Sequence, residues 1–338
     1  MTGSVKREMA YRAKNGLGTA LPTANFLAIS GGGEDGAFGV GLLVGWTESG
    51  KRPKFKAVTG VSTGALIAPF AFLGSKYDKT IKALYTDVDP DSIFRSRGII
   101  AGLLNDALAD TQPLRRLVRK YLTREILSEI AREYRNGRVL LIGTTDLDAK
   151  IPVYWNMGAI AAHGTPESQR LFQEVLIASA AVPGAFPPVM IEVTAGRKRY
   201  QEMHVDGGTI SQLFLYPTGL EVRKIALRAK VPRKRRAFII RNSKLDPSWV
   251  SVKRQTLSII GVAVSALIAA QGNDAIVKLY LATKRDGIDY NLAYIPKSFT
   301  REAKEPFEKA YMNALYRVGY DLARKGYRWR KAPPGYSR

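Results

Sequence analysis

Residues 25–43, NFLAISGGGEDGAFGVGLL, run from a short apolar segment through three consecutive glycines into a second apolar stretch, and residues 55–74, FKAVTGVSTGALIAPFAFLG, repeat the plan with a different turn. Each opens with an apolar run of strand length that ends in a sharp glycine turn, and continues into small and apolar residues of helical length. Two strand, tight turn and helix units in succession predict a parallel α/β sheet, since parallel neighbours need a crossover connection and a helix usually supplies it. A glycine run between strand and helix suits a negative group. Backbone N–H groups reach it with no Cβ in the way, and the helix dipole favours the charge. That group is either a cofactor phosphate or the oxyanion of a reaction intermediate.

The plan continues outward. RVLLIGTTDLD (138–148) reads as a third buried strand, YQEMHVDGG (200–208) as a strand ending in a glycine turn, and RRAFIIRNS (235–243) as another strand. Residues 170–186 predict a helix stopped near Pro183; residues 251–284 and 301–325 predict further helices, with an irregular tail after them. PLRRLVRKYL (113–122) sets Leu114, Leu117, Val118, Tyr121 and Leu122 on one stripe, the pattern of an amphipathic surface helix. LSIIGVAVSALIAA (257–270) falls short of the roughly 20 residues that span a bilayer and reads as a buried helix, with a membrane-contacting face as the second reading. No repeat or low-complexity linker divides the chain. The expectation is an N-terminal extension over 1–24, one domain over 25–330 with a helical part from about 251, and a tail over 331–338. Its fold class is α/β, a three-layer sandwich around a central, mostly parallel sheet.

With 46% hydrophobic residues in 338, the chain can bury a substantial core. Lys and Arg number 52 against 29 Asp and Glu, a net charge of +23, which points to an anionic partner such as a lipid surface or nucleic acid. There are no cysteines, which excludes disulfides, thiolate metal sites and cysteine nucleophiles. The basic N-terminal residues do not read as a signal peptide in the chain as given.

GVSTG, Gly60 to Gly64, has the G-x-S-x-G form of a nucleophile elbow, in which the serine sits on a strained turn and the flanking glycines relieve the crowding. A serine hydroxyl needs a base. Of the two histidines, His163 lies in a predicted loop and reads as a surface or capping residue. His204 stands two residues from Asp206, so an extended chain would turn both to one face and leave a Ser62, His204 and acid triad open. Asp206, in the DGG turn at a strand end, would lie near the tips of neighbouring parallel strands, where the elbow also lies.

SGGGEDG, GVSTG and DGG, in this order, together with ASAAVPGAFPPV (178–189), resemble the signatures of the patatin-like phospholipases over residues 25 to about 210. The resemblance implies a serine lipid acyl hydrolase in which Ser62 is the nucleophile and Asp206 the base. It further implies that N–H groups of Gly31, Gly32 and Gly33 form the oxyanion hole, framed by elbow and turn glycines Gly60, Gly64, Gly207 and Gly208. The glycine loop then holds a transient oxyanion. A dinucleotide reading also lacks its acidic ribose ligand, because the basic stretch Lys51 to Lys56 occupies that distance. Asp35, after Glu34, stands where plant-type members carry Arg or Lys, and this puts in doubt any phosphate contact attributed to that basic position. No cofactor and no metal are expected.

Basic runs at 195–201, 231–236 and 324–331 read as solvated surface or as contacts to anionic lipid, with Trp329 either an interfacial anchor or a core plug. The expected partners are a lipid substrate and an anionic membrane surface bound peripherally; no nucleic acid is expected, and oligomeric state is open. The competing reading is a basic membrane-binding module with weak or no esterase activity.

Overall fold

The computed structural model describes residues 2–89, 91, 95–96, 109–217, 219–228, 230, 232–246, 249 and 251–336. Val231 of one basic run and residues 337–338 of the tail lie outside them. Along the chain come α1 (Thr2–Lys14), β1 (Ala24–Ile29), α2 (Gly36–Glu48), β2 (Ala57–Val61), α3 (Thr63–Leu73) and α4 (Asp78–Thr86). A two-stranded ribbon of β3 (Arg95–Ser96) and β4 (Ala109–Asp110) precedes α5 (Gln112–Tyr121), α6 (Arg124–Arg135), β5 (Val139–Asp146), β6 (Ile151–Asn156), α7 (Met157–His163) and α8 (Pro166–Ser179). The C-terminal half holds β7 (Val189–Ala195), β8 (Lys198–Asp206), α9 (Val222–Arg228), β9 (Arg235–Arg241), α10 (Thr256–Asp286), β10 (Asp289–Tyr294) and α11 (Lys309–Arg324).

The main sheet has the order β10-β9-β1-β2-β5-β8-β7, with β6 also paired to β5. Strands β10, β9, β1, β2 and β5 are parallel, and β6, β7 and β8 are antiparallel additions. Alternation sorts the parallel strands between two cores. Leu27 and Ile29 of β1, with Phe238 and Ile240 of β9, face a large core under α2, α3, α8 and α11. Phe26 and Ala28, with Ala237 and Ile239, face a smaller core under the loop at 213–216, α9 and the second half of α10. A sheet buried on both faces needs continuous apolar strands, which is why the strand segments read as unbroken runs. The architecture is therefore α/β, a mostly parallel sheet between helical layers.

Several local expectations shift. The helix at 170–186 starts earlier, at Pro166, where Thr165 caps it, and stops at Ser179, short of Pro183. Regular helix in the last segment is confined to α11; residues 301–308 are irregular. The apolar run at 257–270 is helical but not buried: among residues 258–270 none is buried, because the smaller core reaches only the half of α10 from Gln271 onward. Trp329 is a core plug, its ring 4.8 Å from that of Trp46 and 5.0 Å from that of Phe238.

Candidate active site

Parallel strands deliver their C-terminal ends to one edge, where the loops to the following helices converge. Ile29, Val61 and Arg241 end β1, β2 and β9 at this edge; Ser62 and Asn242 follow directly, and residues 31–33 follow after Ser30. β8 arrives from the other direction. Its register against β5, Thr144 with Asp206 and Asp146 with His204, stops the strand beside Gly143, which in turn pairs with Val61. Asp206 thus lies level with the end of β2, as its strand-end position suggested, on a strand that runs antiparallel to β5.

Ser62 is the N-cap of α3 and has φ 54° and ψ −126°, a conformation that non-glycine residues rarely hold. Two close approaches lock the turn. A Cβ on Gly60 would run into the Gly64 carbonyl, and one on Gly64 into the Ile29 carbonyl of β1. The Ser62 N–H donates to Ser179 Oγ at 3.0 Å, and that hydroxyl donates to the Gly143 carbonyl at 2.6 Å, which ties the turn to β5. Positioned before the first turn of α3, Ser62 also lies at the positive end of the helix dipole.

Asp206 is buried, and burial pushes its carboxyl up to about 7 against the smaller lowering influences of the Ser62 side chain and the Gly208 N–H. Oδ1 accepts the Gly208 N–H at 2.6 Å. The Ser62 side chain is near enough to favour the ionised form, although Oδ2 has no hydrogen bond of full geometry. Gly31 lies against Ser62: a Cβ there would stand 3.0 Å from the Ser62 Cβ and 2.8 Å from Gln212 Oε1. Gly32 has φ 149° and passes so close to the Asn242 carbonyl that no side chain fits. Among the described residues the Gly31 and Gly32 N–H groups donate to no protein acceptor. Gly33 lines the cavity described below, and Gly207 packs on the Gly143 carbonyl.

A cavity of about 120 Å³ opens at Ser62. Its walls are apolar, with Leu66 and Phe70 of α3 facing Leu114, Leu117, Val118 and Tyr121 of α5. The stripe on α5 that reads in sequence as an ordinary amphipathic surface is the cavity wall. Arg115 of the same helix turns away to pair with Glu174 at 2.5 Å.

The histidines lie elsewhere. His163 is exposed at the end of α7. His204 is fully buried with both ring nitrogens engaged, Nδ1 with Thr144 Oγ1 at 3.0 Å and Nε2 with Glu202 Oε2 at 3.2 Å. Trp155 Nε1 donates to the same threonine oxygen at 2.8 Å; the Glu202 carboxylate can only accept, so the Nε2–H bond runs to Glu202. No ring nitrogen is left for Ser62.

Four residues that sequence reading did not single out support the glycine loop and the elbow. Besides Ser179, Asn242 ties Ser30 to Gly39: its N–H donates to Ser30 Oγ at 2.8 Å, and its Oδ1 accepts the Gly39 N–H at 3.1 Å. Buried Arg241 donates to Gln212 Oε1 at 3.2 Å, and Gln212 sits between the glycine loop and the DGG turn. Ser179 falls within a segment already noted at 178–189; the other three carry no local signal. Asp35 is held by the Tyr311 hydroxyl at 2.6 Å, and its carboxyl is pushed up to about 6 by burial. Lys244 and Arg241 provide the opposing positive charge. Among the described residues no cluster of three His, Asp or Glu side chains could hold a metal.

Two of the basic runs lie at the far edge of the sheet. Arg235 and Arg236 begin β9, Arg233 pairs with Glu8 of α1 at 2.7 Å, and Lys331 pairs with Asp289 at the start of β10.

A strained serine turn between strand and helix, a glycine loop beside it and an apolar cavity define a hydrolase-type α/β site. The chain belongs to the patatin-like phospholipase family, whose family model matches residues 27–217, and the family acts on lipid acyl esters. Among solved structures, VipD from Legionella pneumophila is 14% identical with a TM-score of 0.45, over 90% of this chain and 67% of that one. Full-length ExoU of Pseudomonas aeruginosa, in complex with SpcU, is 13% identical with a TM-score of 0.37, over 90% of this chain and 52% of ExoU. The chain thus spans about two thirds of VipD and about half of ExoU. None of the curated proteins matches it.

Proposed function

We propose that the protein is a serine lipid acyl hydrolase of phospholipase A or lipase type, working through Ser62 and Asp206. Ionised Asp206 takes the Ser62 proton as Oγ attacks the ester carbonyl. The N–H groups of the Gly31 to Gly33 loop donate hydrogen bonds to the tetrahedral oxyanion, and the positive end of the α3 helix dipole stabilises it further. The alcohol leaves with the proton that Asp206 took from Ser62; water then attacks the acyl-enzyme as Asp206 accepts its proton, and that proton returns to Ser62 Oγ as the free acid leaves. The acyl chain occupies the cavity between α3 and α5. The observation that carries the reading is Ser62 itself, held at positive φ on the elbow at the mouth of an apolar cavity beside a carboxylate whose raised pKa suits a base near neutral pH. A soluble p-nitrophenyl ester tests it: Ser62→Ala and Asp206→Asn should each lose nearly all turnover, and a fluorophosphonate probe should label Ser62 alone. Undiminished labelling of Ser62→Ala would end the proposal. We place the enzyme at an anionic membrane surface as a peripheral protein.

A further inference from the structure

Helix α10 is 31 residues long and is divided by the point where it meets the site. At that point the Gln271 amide donates to the Thr209 carbonyl at 3.4 Å, and Gly272 lies against the Arg241 guanidinium at the end of β9. Beyond it Ala275, Ile276, Leu279 and Tyr280 are buried as the helix descends toward β10, whose first residue pairs with the start of β9. The half before it, residues 256–270, therefore extends past the same sheet edge that carries Ser62. At about 1.5 Å per residue this arm is roughly 22 Å long.

From Gln255 to Asn273 no residue is charged. Ile259 is 51%, Ile260 54% and Leu267 71% exposed, and Trp249 on the approach to the arm is 88% exposed. An apolar surface of this extent on a chain of net charge +23 calls for an apolar occupant with anionic character. A second feature projects from the same edge. Only the last residues of β8 pair with β5, so the β7–β8 hairpin runs on past the end of the sheet by roughly 20 Å at about 3.3 Å per residue. Its tip carries exposed Arg197, Lys198 and Arg199.

We propose that the arm of α10 is a membrane-docking element that embeds in the headgroup and acyl boundary of an anionic leaflet and brings the Ser62 cavity to the lipid. This rests on the lipid hydrolase reading above and names how that site meets its substrate. The arm is too short to span the roughly 30 Å hydrocarbon layer. Entering tip first would also bury Lys253 and Arg254, which precede it. It therefore lies along the interface, the two cations at headgroup level at its outer end and Gln271 at the protein end, with the uncharged length sunk between them. The hairpin cations add an attraction that salt screens.

The test uses the full chain in a Ser62→Ala background, with flotation on vesicles of phosphatidylglycerol and phosphatidylcholine; Ile260→Asp with Leu267→Asp breaks the arm at two exposed positions. The parent should float, and the double variant should lose at least about tenfold in partition. With Ser62 restored, both should hydrolyse a soluble ester within about twofold of each other, which also reports that the variant folds. Replacing Arg197, Lys198 and Arg199 by Gln should remove mainly the salt-sensitive part of binding. Equal flotation of parent and arm variant would overturn the proposal. So would a parent that does not float but forms a dimer in sedimentation that the arm variant loses, which would assign the arm to a second copy. If instead no protein turns over the soluble ester, the hydrolase reading fails while flotation still judges the arm.

Discussion

Replacing Asp206 by Asn should stabilise the protein increasingly as pH rises, and the size follows from the burial of this one carboxyl. Its pKa moves from 3.8 to about 7 because the ionised form loses its water. A carboxyl raised in the folded state favours folding fully below its unfolded pKa, and that contribution is lost as pH rises through the folded value. With ~1.36 kcal/mol per pKa unit, wild type should lose roughly 2.5 kcal/mol relative to Asp206→Asn between about pH 5 and pH 8. Asn keeps an oxygen for the Gly208 N–H, so the comparison isolates the charge. Urea unfolding of both proteins at several pH values measures the difference. The same titration should shape turnover: in the proposed mechanism only ionised Asp206 accepts the Ser62 proton, so kcat/KM on a soluble ester should fall about tenfold per pH unit below about 7. Parallel stability curves for the two proteins across this range would refute the burial argument, and a flat rate profile between pH 5 and 8 would remove Asp206 as the base.

Other changes probe the supports. Ser179→Ala removes the partner of both the Ser62 N–H and the Gly143 carbonyl, and should lower kcat at least tenfold while costing about 1–3 kcal/mol in urea unfolding. Gly64→Ala drives a methyl into the Ile29 carbonyl and should cost more than about 2 kcal/mol, read as a lowered Tm or loss of soluble protein. Leu117→Trp should narrow the cavity and cut the ratio of long-chain to short-chain ester hydrolysis by about tenfold, measured on a p-nitrophenyl series. His204→Ala should lower the Tm through loss of the Thr144 and Glu202 bonds, yet keep ester turnover within a few-fold.

The strand and turn units at 25–43 and 55–74 were legible because their signals are local: apolar runs of strand length, glycines where a side chain would collide, and a serine held between two such glycines. The same local logic placed Asp206 at a strand end, but not the antiparallel course of β8 that carries it beside Val61 and Gly143. Strand direction depends on pairings between residues some 60 positions apart, such as Thr144 with Asp206, for which a single sequence has no period or turn signature. Polar supports such as Arg241 to Gln212, or Asn242 to Ser30, are likewise contacts across the fold between residues with no distinctive neighbours. Apolar segments show the limit most plainly. The stripe on α5 and the run at 257–270 are both apolar in sequence, yet the first lines the cavity and no residue from 258 to 270 is buried. Hydrophobicity determines that a surface will seek an apolar neighbour; only the packing of the layers decides whether that neighbour is the core, a cavity or something outside the chain.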